Sequence, residues 1–137
     1  MSVGLCLVTH DHIGSTILAA AVSMLGRCPL PVTAIPVISA CDPADAEALL
    51  CQALQAVRDL DEGDGVIVLT DMFGSTPSNI AAALSGQGIE VAVVAGLNLP
   101  MLVRLLNYPG LELAQLAEKA VSGGVEGIFR CCGNSEV

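Results

Sequence analysis

The sequence predicts an α/β fold of three layers, a doubly wound and mostly parallel sheet of four parallel strands with helices on both faces. Three observations predict it. Short β-branched or aliphatic runs alternate with longer segments of helical period, the order expected of successive βαβ units. The runs show little polar alternation, as strands do when helices cover both of their faces. The 137 residues, 53% hydrophobic but only 2% aromatic, suit a single domain over 1–137 with an aliphatic core and leave little room for a second. Disorder and a disulfide-stapled mini-scaffold are excluded by the same composition.

Val3 to Thr9 is the first predicted strand. Ile13, Ile17, Ala20, Ala21 and Met24 then recur at helical spacing, and Gly26 closes that helix. A second strand spans Val32 to Ile38. Asp42 before Pro43 marks a helix start: the carboxylate caps, proline takes the first helical position, and Asp45 and Glu47 suit the positive end of the dipole. That helix is expected to bury Ala46, Leu50, Ala53, Leu54 and Val57. The acidic connection Asp59, Asp61, Glu62 and Asp64 reads as a solvated turn and leads into the third strand, Gly65 to Thr70. Asp71 to Thr76 forms a loop, and Pro77 opens a third helix of about ten residues. Ile89 to Ala95 is the fourth strand. A loop at Gly96 to Leu99 and helical segments at Pro100 to Leu106 and Leu111 to Val121 follow. Gly123 and Gly124 are expected to end the last helix, leaving Val125 to Cys132 for a fifth strand.

The net charge is −9, and the five cations, Arg27, Arg58, Arg104, Lys119 and Arg130, are scattered along the chain. Without a basic stripe to release counterions from a phosphate backbone, nucleic acid is not an expected partner. The most apolar stretch, Ile89 to Leu106, is interrupted by Glu90, Gly96, Asn98, Pro100 and Arg104, and falls short of the roughly 20 apolar residues of a membrane helix. No basic residue precedes the short N-terminal apolar run, so no signal peptide is read and a cytoplasmic location is expected. Cys6, Cys28, Cys41, Cys51, Cys131 and Cys132 lack paired metal spacing and read as free thiols. With no C-x-x-C and only His10 and His12 as imidazoles, no zinc site is expected. For adjacent Cys131 and Cys132 the reading as free thiols outweighs a redox role.

In an open parallel sheet, ligands gather beyond the carboxyl ends of the strands. The first strand ends in Thr9-His10-Asp11, the third in Thr70-Asp71 followed by Met72-Phe73-Gly74-Ser75-Thr76-Pro77, and the fourth in Gly96-Leu97-Asn98-Leu99-Pro100. With the first and third strands as neighbours, His10 and Asp71 face each other. A carboxylate that accepts the proton of one ring nitrogen fixes the tautomer and leaves the other nitrogen as a nucleophile. Ser75 and Thr76, free amides at the start of the third helix, and amides near Gly14 and Ser15 in the first would hold a phosphoryl group without a cation. Gly14 and Gly74 would allow close backbone approach. His12 reads as an exposed loop residue. Asp71 is free of capping duty, for which Ser75 or Thr76 is better placed. Asn98 reads equally as a loop-to-helix residue or as one that shapes the site. No nucleotide P-loop, dinucleotide fingerprint or nucleophile elbow occurs, so phosphate would arrive from another protein or not at all.

Val8-Thr9-His10, the run from Thr70 to Asn79, and Gly96-Leu97-Asn98-Leu99-Pro100-Met101-Leu102 together resemble the mannose-type EIIA domain of the bacterial phosphoenolpyruvate:sugar phosphotransferase system. The resemblance covers nearly the whole chain, in order. It implies a protein-histidine phosphotransferase in which His10 accepts a phosphoryl group from the carrier HPr and passes it to an EIIB component, for sugar uptake or its regulation. It further implies that Asp71 orients and polarises the histidine and that Thr76 contacts the phosphoryl group, with Gly74 and Ser75 beside it. Thr9, Phe73, Asn98 and Pro100 fall in the same three motifs as site-shaping residues. Neither a metal nor an organic cofactor is implied. Family members are homodimers that exchange a C-terminal strand, which would lay Val125 to Cys132 antiparallel on the partner's sheet. Asp11 and His12 follow the histidine where glycine is common, and Ser75-Thr76 replaces a more usual Gly-Ser pair. No EIIB domain fits within the length, so a stand-alone subunit is expected.

Three rivals differ in testable residues. The related phosphocarrier that feeds dihydroxyacetone kinase shares a strand-end histidine but lacks the spacing of Gly74 to Pro77. A receiver-like signalling domain would use Asp71 as acceptor, but needs an acidic pair after the first strand and a lysine late in the sheet, whereas Lys119 lies in a predicted helix. Flavodoxin-like binding would need stacking rings, and only Phe73, Tyr108 and Phe129 are available.

Overall fold

The structure, a computed structural model, describes residues 2–38 and 42–132. Its strands are β1 (Gly4–His10), β2 (Val32–Val37), β3 (Val66–Thr70) and β4 (Val91–Ala95). Its helices are α1 (Ile13–Leu25), α2 (Pro43–Leu60), α3 (Thr76–Ala83), α4 (Leu99–Leu106) and α5 (Leu113–Glu126). The strands form one parallel sheet in the order β2-β1-β3-β4, as the alternation of runs predicts.

Side chains alternate across the sheet. Leu5, Leu7, Ile67 and Leu69 pack with α1, α4 and α5, whereas Cys6, Val8, Ile35, Val66 and Val68 pack with α2 and α3. The placement of the first three helices follows from right-handed crossovers. The step from β1 to β2 runs one way across the sheet, and the steps from β2 to β3 and β3 to β4 run the other. Hence α1 covers one face, and α2 and α3 the opposite one. The direction reverses between β1 and β3, so the starts of α1 and α3 part there and leave the carboxyl ends of these strands accessible.

Local chemistry sets the helix ends. Asp42 accepts a hydrogen bond from the Ala44 amide at 2.9 Å, with Pro43 at the first position of α2. Gly26 ends α1 in the left-handed region at φ 84°, its N–H bonded to the Val22 carbonyl. The buried stripe of α1 differs from expectation. Gly14 and Ala21 are buried with Ile17, Leu18 and Leu25 packed against the core, while Ile13, Ala20 and Met24 face outward. In α2, Ala53 and Val57 are buried as expected, with Leu60, but Ala46, Leu50 and Leu54 are only half-buried.

The C-terminal region departs most. Gly123 and Gly124 do not end the last helix; they lie buried within α5, which continues to Glu126. A β-carbon on Gly123 would stand 2.7 Å from Arg104 Cβ, and one on Gly124 would stand 2.9 Å from Met101 Cε. The glycines therefore serve close approach of α5 to α4, a tertiary demand that outweighs their poor helix propensity. Val125 is accordingly helical, and residues 128–132 form no strand within the chain. Val121 and Val125 are exposed beside β4, an edge strand of the sheet, and Ile128 and Phe129 after α5 are exposed as well. Cys6 is buried, while Cys28, Cys51, Cys131 and Cys132 are exposed; Cys41 falls outside the described residues.

Candidate functional site

The parallel pairing of β1 with β3 sets Val8 against Thr70, so His10 and Asp71 leave neighbouring strands at the same edge. Asp71 Oδ2 accepts the His10 backbone N–H at 3.1 Å and lies 2.8 Å from His10 Nδ1. An ionised carboxylate has no proton to give, so Nδ1 carries the proton and the lone pair resides on Nε2. The Asp71 side chain is 11% exposed and the His10 side chain 41%. The arrangement is a fixed, outward-facing imidazole backed by a nearly enclosed carboxylate.

The turn after β1 is held by Thr9, whose buried hydroxyl accepts the Gly14 amide at 2.9 Å and donates to the Asp11 carbonyl at 3.4 Å. Asp11 has φ 47°, the one non-glycine residue at positive φ among the described residues. Its carboxylate accepts the His12 amide at 2.8 Å, and His12 is exposed, as the sequence reading expects. Gly14 plays a different part from the anion cradle expected of it. Its amide is taken by Thr9, and a β-carbon there would come within 3.2 Å of Leu7 Cβ. Its smallness lets α1 settle on β1. The Ser15 amide remains in the first turn of α1, with no helical carbonyl behind it.

The turn after β3 brings Gly74, Ser75 and Thr76 to the start of α3. Gly74 takes φ 84° and donates its amide to Ser78 Oγ at 3.3 Å. Ser75 is the N-cap by position, yet its side chain caps nothing; its hydroxyl donates to the Met72 carbonyl at 2.5 Å. That corrects the expectation of a capping hydroxyl, because turning back closes the loop instead. Thr76 has its hydroxyl uncommitted among the described residues. The amides of Thr76 and Ser78 lie in the first turn, where no helical carbonyl can reach them, and Pro77 has none to offer. These donors and the positive end of the α3 dipole form an anion-binding corner.

Asn98 and Pro100 hold the packing of α4. Asn98 Oδ1 accepts the Met101 amide at 2.9 Å, and its Nδ2 donates to the Gly124 carbonyl at 3.1 Å, tying the start of α4 to α5. Pro100 lies against Gly127, where an added β-carbon would come within 2.4 Å of Pro100 Cβ. Phe73 is 87% exposed, and Met72, Ile13 and Ile38 are also exposed at the carboxyl edge. Sequence reasoning picked out Phe73 but missed the other three; apolar residues inside turns and at element ends were the available signal. Among the described residues, no group of three or more His, Cys, Asp or Glu side chains is placed to hold a metal, and no helix is long and apolar enough to cross a membrane.

The site thus offers a nucleophilic nitrogen, a nearly enclosed carboxylate to balance charge on its ring, and hydrogen-bond donors for an anion. Comparison with known proteins identifies the family of the chain. The mannose-specific EIIAB component of Escherichia coli K12 is 28% identical over 132 residues, covering 93% of this chain and 39% of that protein. The fructose-specific EIIA component of Bacillus subtilis is 40% identical over 53 residues, 39% of this chain and 36% of that one. The matches therefore span under two-fifths of the length of these curated relatives. The mannose/sorbose-specific IIA subunit of Enterococcus faecalis superposes with a TM-score of 0.81 at 23% identity over the full length of both chains, a likeness of fold. The family model described as "PTS system fructose IIA component" matches residues 4–121, and the chain belongs to this family of EIIA components of the phosphotransferase system.

Proposed function

We propose that this protein is a phosphohistidine carrier of the sugar phosphotransferase system, a protein-histidine phosphotransferase that takes a phosphoryl group from HPr on His10 and passes it to an EIIB component. The observation that carries the proposal is the 2.8 Å contact of His10 Nδ1 with Asp71. It leaves Nε2 as the attacking atom. In the forward step the Nε2 lone pair forms a bond to phosphorus as the nitrogen–phosphorus bond of the donor breaks, and the donor nitrogen keeps the electron pair. The Nδ1 proton stays with the ring, and the Asp71 carboxylate balances the positive charge that develops there. Transfer onward repeats the exchange with the acceptor as nucleophile.

In this reading Thr76 Oγ1 and the amides of Thr76 and Ser78 hold the phosphoryl oxygens. Gly74 gives the turn its shape, and Thr9 keeps the first turn of α1 in place. Ser75 contributes through its backbone, since its hydroxyl proton is given to Met72. The exposed Phe73 and Met72 supply apolar contact area for a protein donor, which a half-exposed acceptor ring requires. Asn98 and Pro100 act at a distance, by fixing α4. No metal or organic cofactor takes part in the transfer.

We also place the protein in the cytoplasm as a homodimer. The exposed side chains of Val121 and Val125 beside the edge strand β4 support an exchanged segment, with Ile128 and Phe129 seated antiparallel on the partner's β4. The decisive experiment incubates the protein with labelled phosphoenolpyruvate, Enzyme I and HPr. Acid-labile, base-stable label on the wild type and none on His10→Ala is the expected result. Label that persists in His10→Ala overturns the assignment, and onward delivery to dihydroxyacetone kinase but not to an EIIB component would favour that rival.

A further inference from the structure

Thr70, the last residue of β3, is fully buried, and among the described residues its Oγ1 has no hydrogen-bond partner. Asp71 Oδ1 is likewise buried and without one. Buried hydroxyls and carboxylate oxygens are rarely left so, because each gave up its hydration on folding. Valine would fill the Thr70 position with the same branched shape and no such loss. The retained hydroxyl therefore calls for a partner.

Strand register says where that partner lies. Thr70 pairs with Val8, and Val8 belongs to the core shared with α2 and α3. His10, two residues beyond Val8, projects to that same face. Thr70 thus sits on the sheet face that carries the His10 ring and is covered by α3. Being enclosed, it cannot itself meet a phosphoryl group that arrives from solvent. The Asp71 carboxylate reaches that same face, where its Oδ2 meets His10 Nδ1, and its unpartnered Oδ1 belongs to the same group.

We propose that Thr70 is a positioning residue, whose hydroxyl donates to one enclosed water that in turn donates to Asp71 Oδ1. Both oxygens of the carboxylate are then engaged, Oδ2 by His10 and Oδ1 by the water. Two points of attachment fix the carboxylate plane, and with it the direction of the Nδ1–H bond and the aim of Nε2. Globular proteins enclose about one such water per 27 residues, each with two to four polar partners. The consequence for phosphoryl transfer rests on the phosphocarrier reading; the hydration itself does not.

The test compares wild type with Thr70→Val and Thr70→Ser. In the wild type, water-selective NMR is expected to show a cross-peak between a long-lived water and the Thr70 methyl group. Thr70→Val is expected to melt a few degrees lower, to show mixed His10 ring tautomers in its ¹⁵N spectrum, and to accept phosphate from HPr about ten-fold more slowly. Thr70→Ser is expected to restore the tautomer and to return the rate to within about two-fold. Removal of an idle hydroxyl would act in the opposite direction on stability. Thr70→Val melting at or above the wild-type temperature, with the His10 spectrum unchanged, overturns the proposal. Should Thr70→Val not fold, absence of the water cross-peak in the wild type overturns it. A wild type that takes no phosphate sinks the phosphocarrier reading alone, because the cross-peak and the ring spectra still decide the role of Thr70.

Discussion

One oxygen of Asp71, Oδ2, holds His10 twice: through the backbone N–H at 3.1 Å and at ring Nδ1 at 2.8 Å. The strand end and the imidazole of the same residue are thereby fixed to a single atom of the neighbouring strand. Asp71→Asn preserves the shape but removes the charge that balances the ring. Phosphoryl transfer is expected to slow by about 10²–10⁴-fold while the fold survives. Single-turnover transfer from labelled HPr checks this, and a rate within two-fold of wild type removes Asp71 from the mechanism.

The two adjacent hydroxyls at the start of α3 are expected to behave differently. Ser75 gives its proton to the Met72 carbonyl, whereas that of Thr76 is uncommitted among the described residues. Thr76→Ala should therefore slow transfer by about 10²–10³-fold, the range for loss of one donor to a developing anion. Ser75→Ala should leave the chemical step nearly unchanged and lower only the stability of the loop, by about 1 kcal/mol. Rapid-quench measurement on both variants, with Thr76→Ser as the rescue, separates the roles; equal losses in the two alanine variants would refute the difference.

His10 and Asp71 were legible because their meeting depends on backbone facts: two apolar runs, parallel and adjacent, each ending one residue before or at the polar group. The same holds for the cap of α2, where Asp42 and Pro43 act within three residues of chain. Where the reading missed, the deciding contact was distant or rotameric. Gly123 and Gly124 look like a helix stop until α4 lies against them. Gly14 looks like an open anion site until Thr9 Oγ1 takes its amide. Ser75 has a capping position, and only its rotamer reveals that it turns back to Met72. Asn98 could not be assigned from spacing, since its amide bonds a carbonyl 26 residues away.

Burial pushes the Cys6 thiol up from 9.0 to about 12. The folded chain therefore keeps this thiol neutral at a pH where the unfolded chain ionises it. Its contribution to stability is complete below pH 9 and is lost as pH rises from 9 toward 12. Denaturant titrations at pH 8 and pH 10 should show a larger fall for wild type than for Cys6→Ala, whatever the absolute cost of the small cavity. In the native state, iodoacetamide should label Cys28 and Cys51 while Cys6 stays unmodified. Labelling of Cys6 at the rate of the exposed thiols would contradict its enclosure.

The contact of α5 with α4 sets two effects of opposite sign against each other. Alanine in place of glycine inside a helix gains about 1 kcal/mol in propensity. At Gly123, however, the new methyl would stand 2.7 Å from Arg104 Cβ and 3.0 Å from Arg104 Cδ. A β-carbon cannot swing aside as the tip of a long side chain can, so the helices must part, and such overpacking costs about 1–3 kcal/mol. Packing is expected to win, leaving Gly123→Ala less stable by about 1 kcal/mol, the difference of the two magnitudes. Gly110→Ala provides the control. That glycine lies in a turn with no heavy atom within 4 Å of the added carbon and without positive φ, so the change should be nearly neutral or slightly stabilising. Urea titration of the two variants gives the comparison, and a Gly123→Ala protein as stable as wild type would mean that α5 is free to shift along α4.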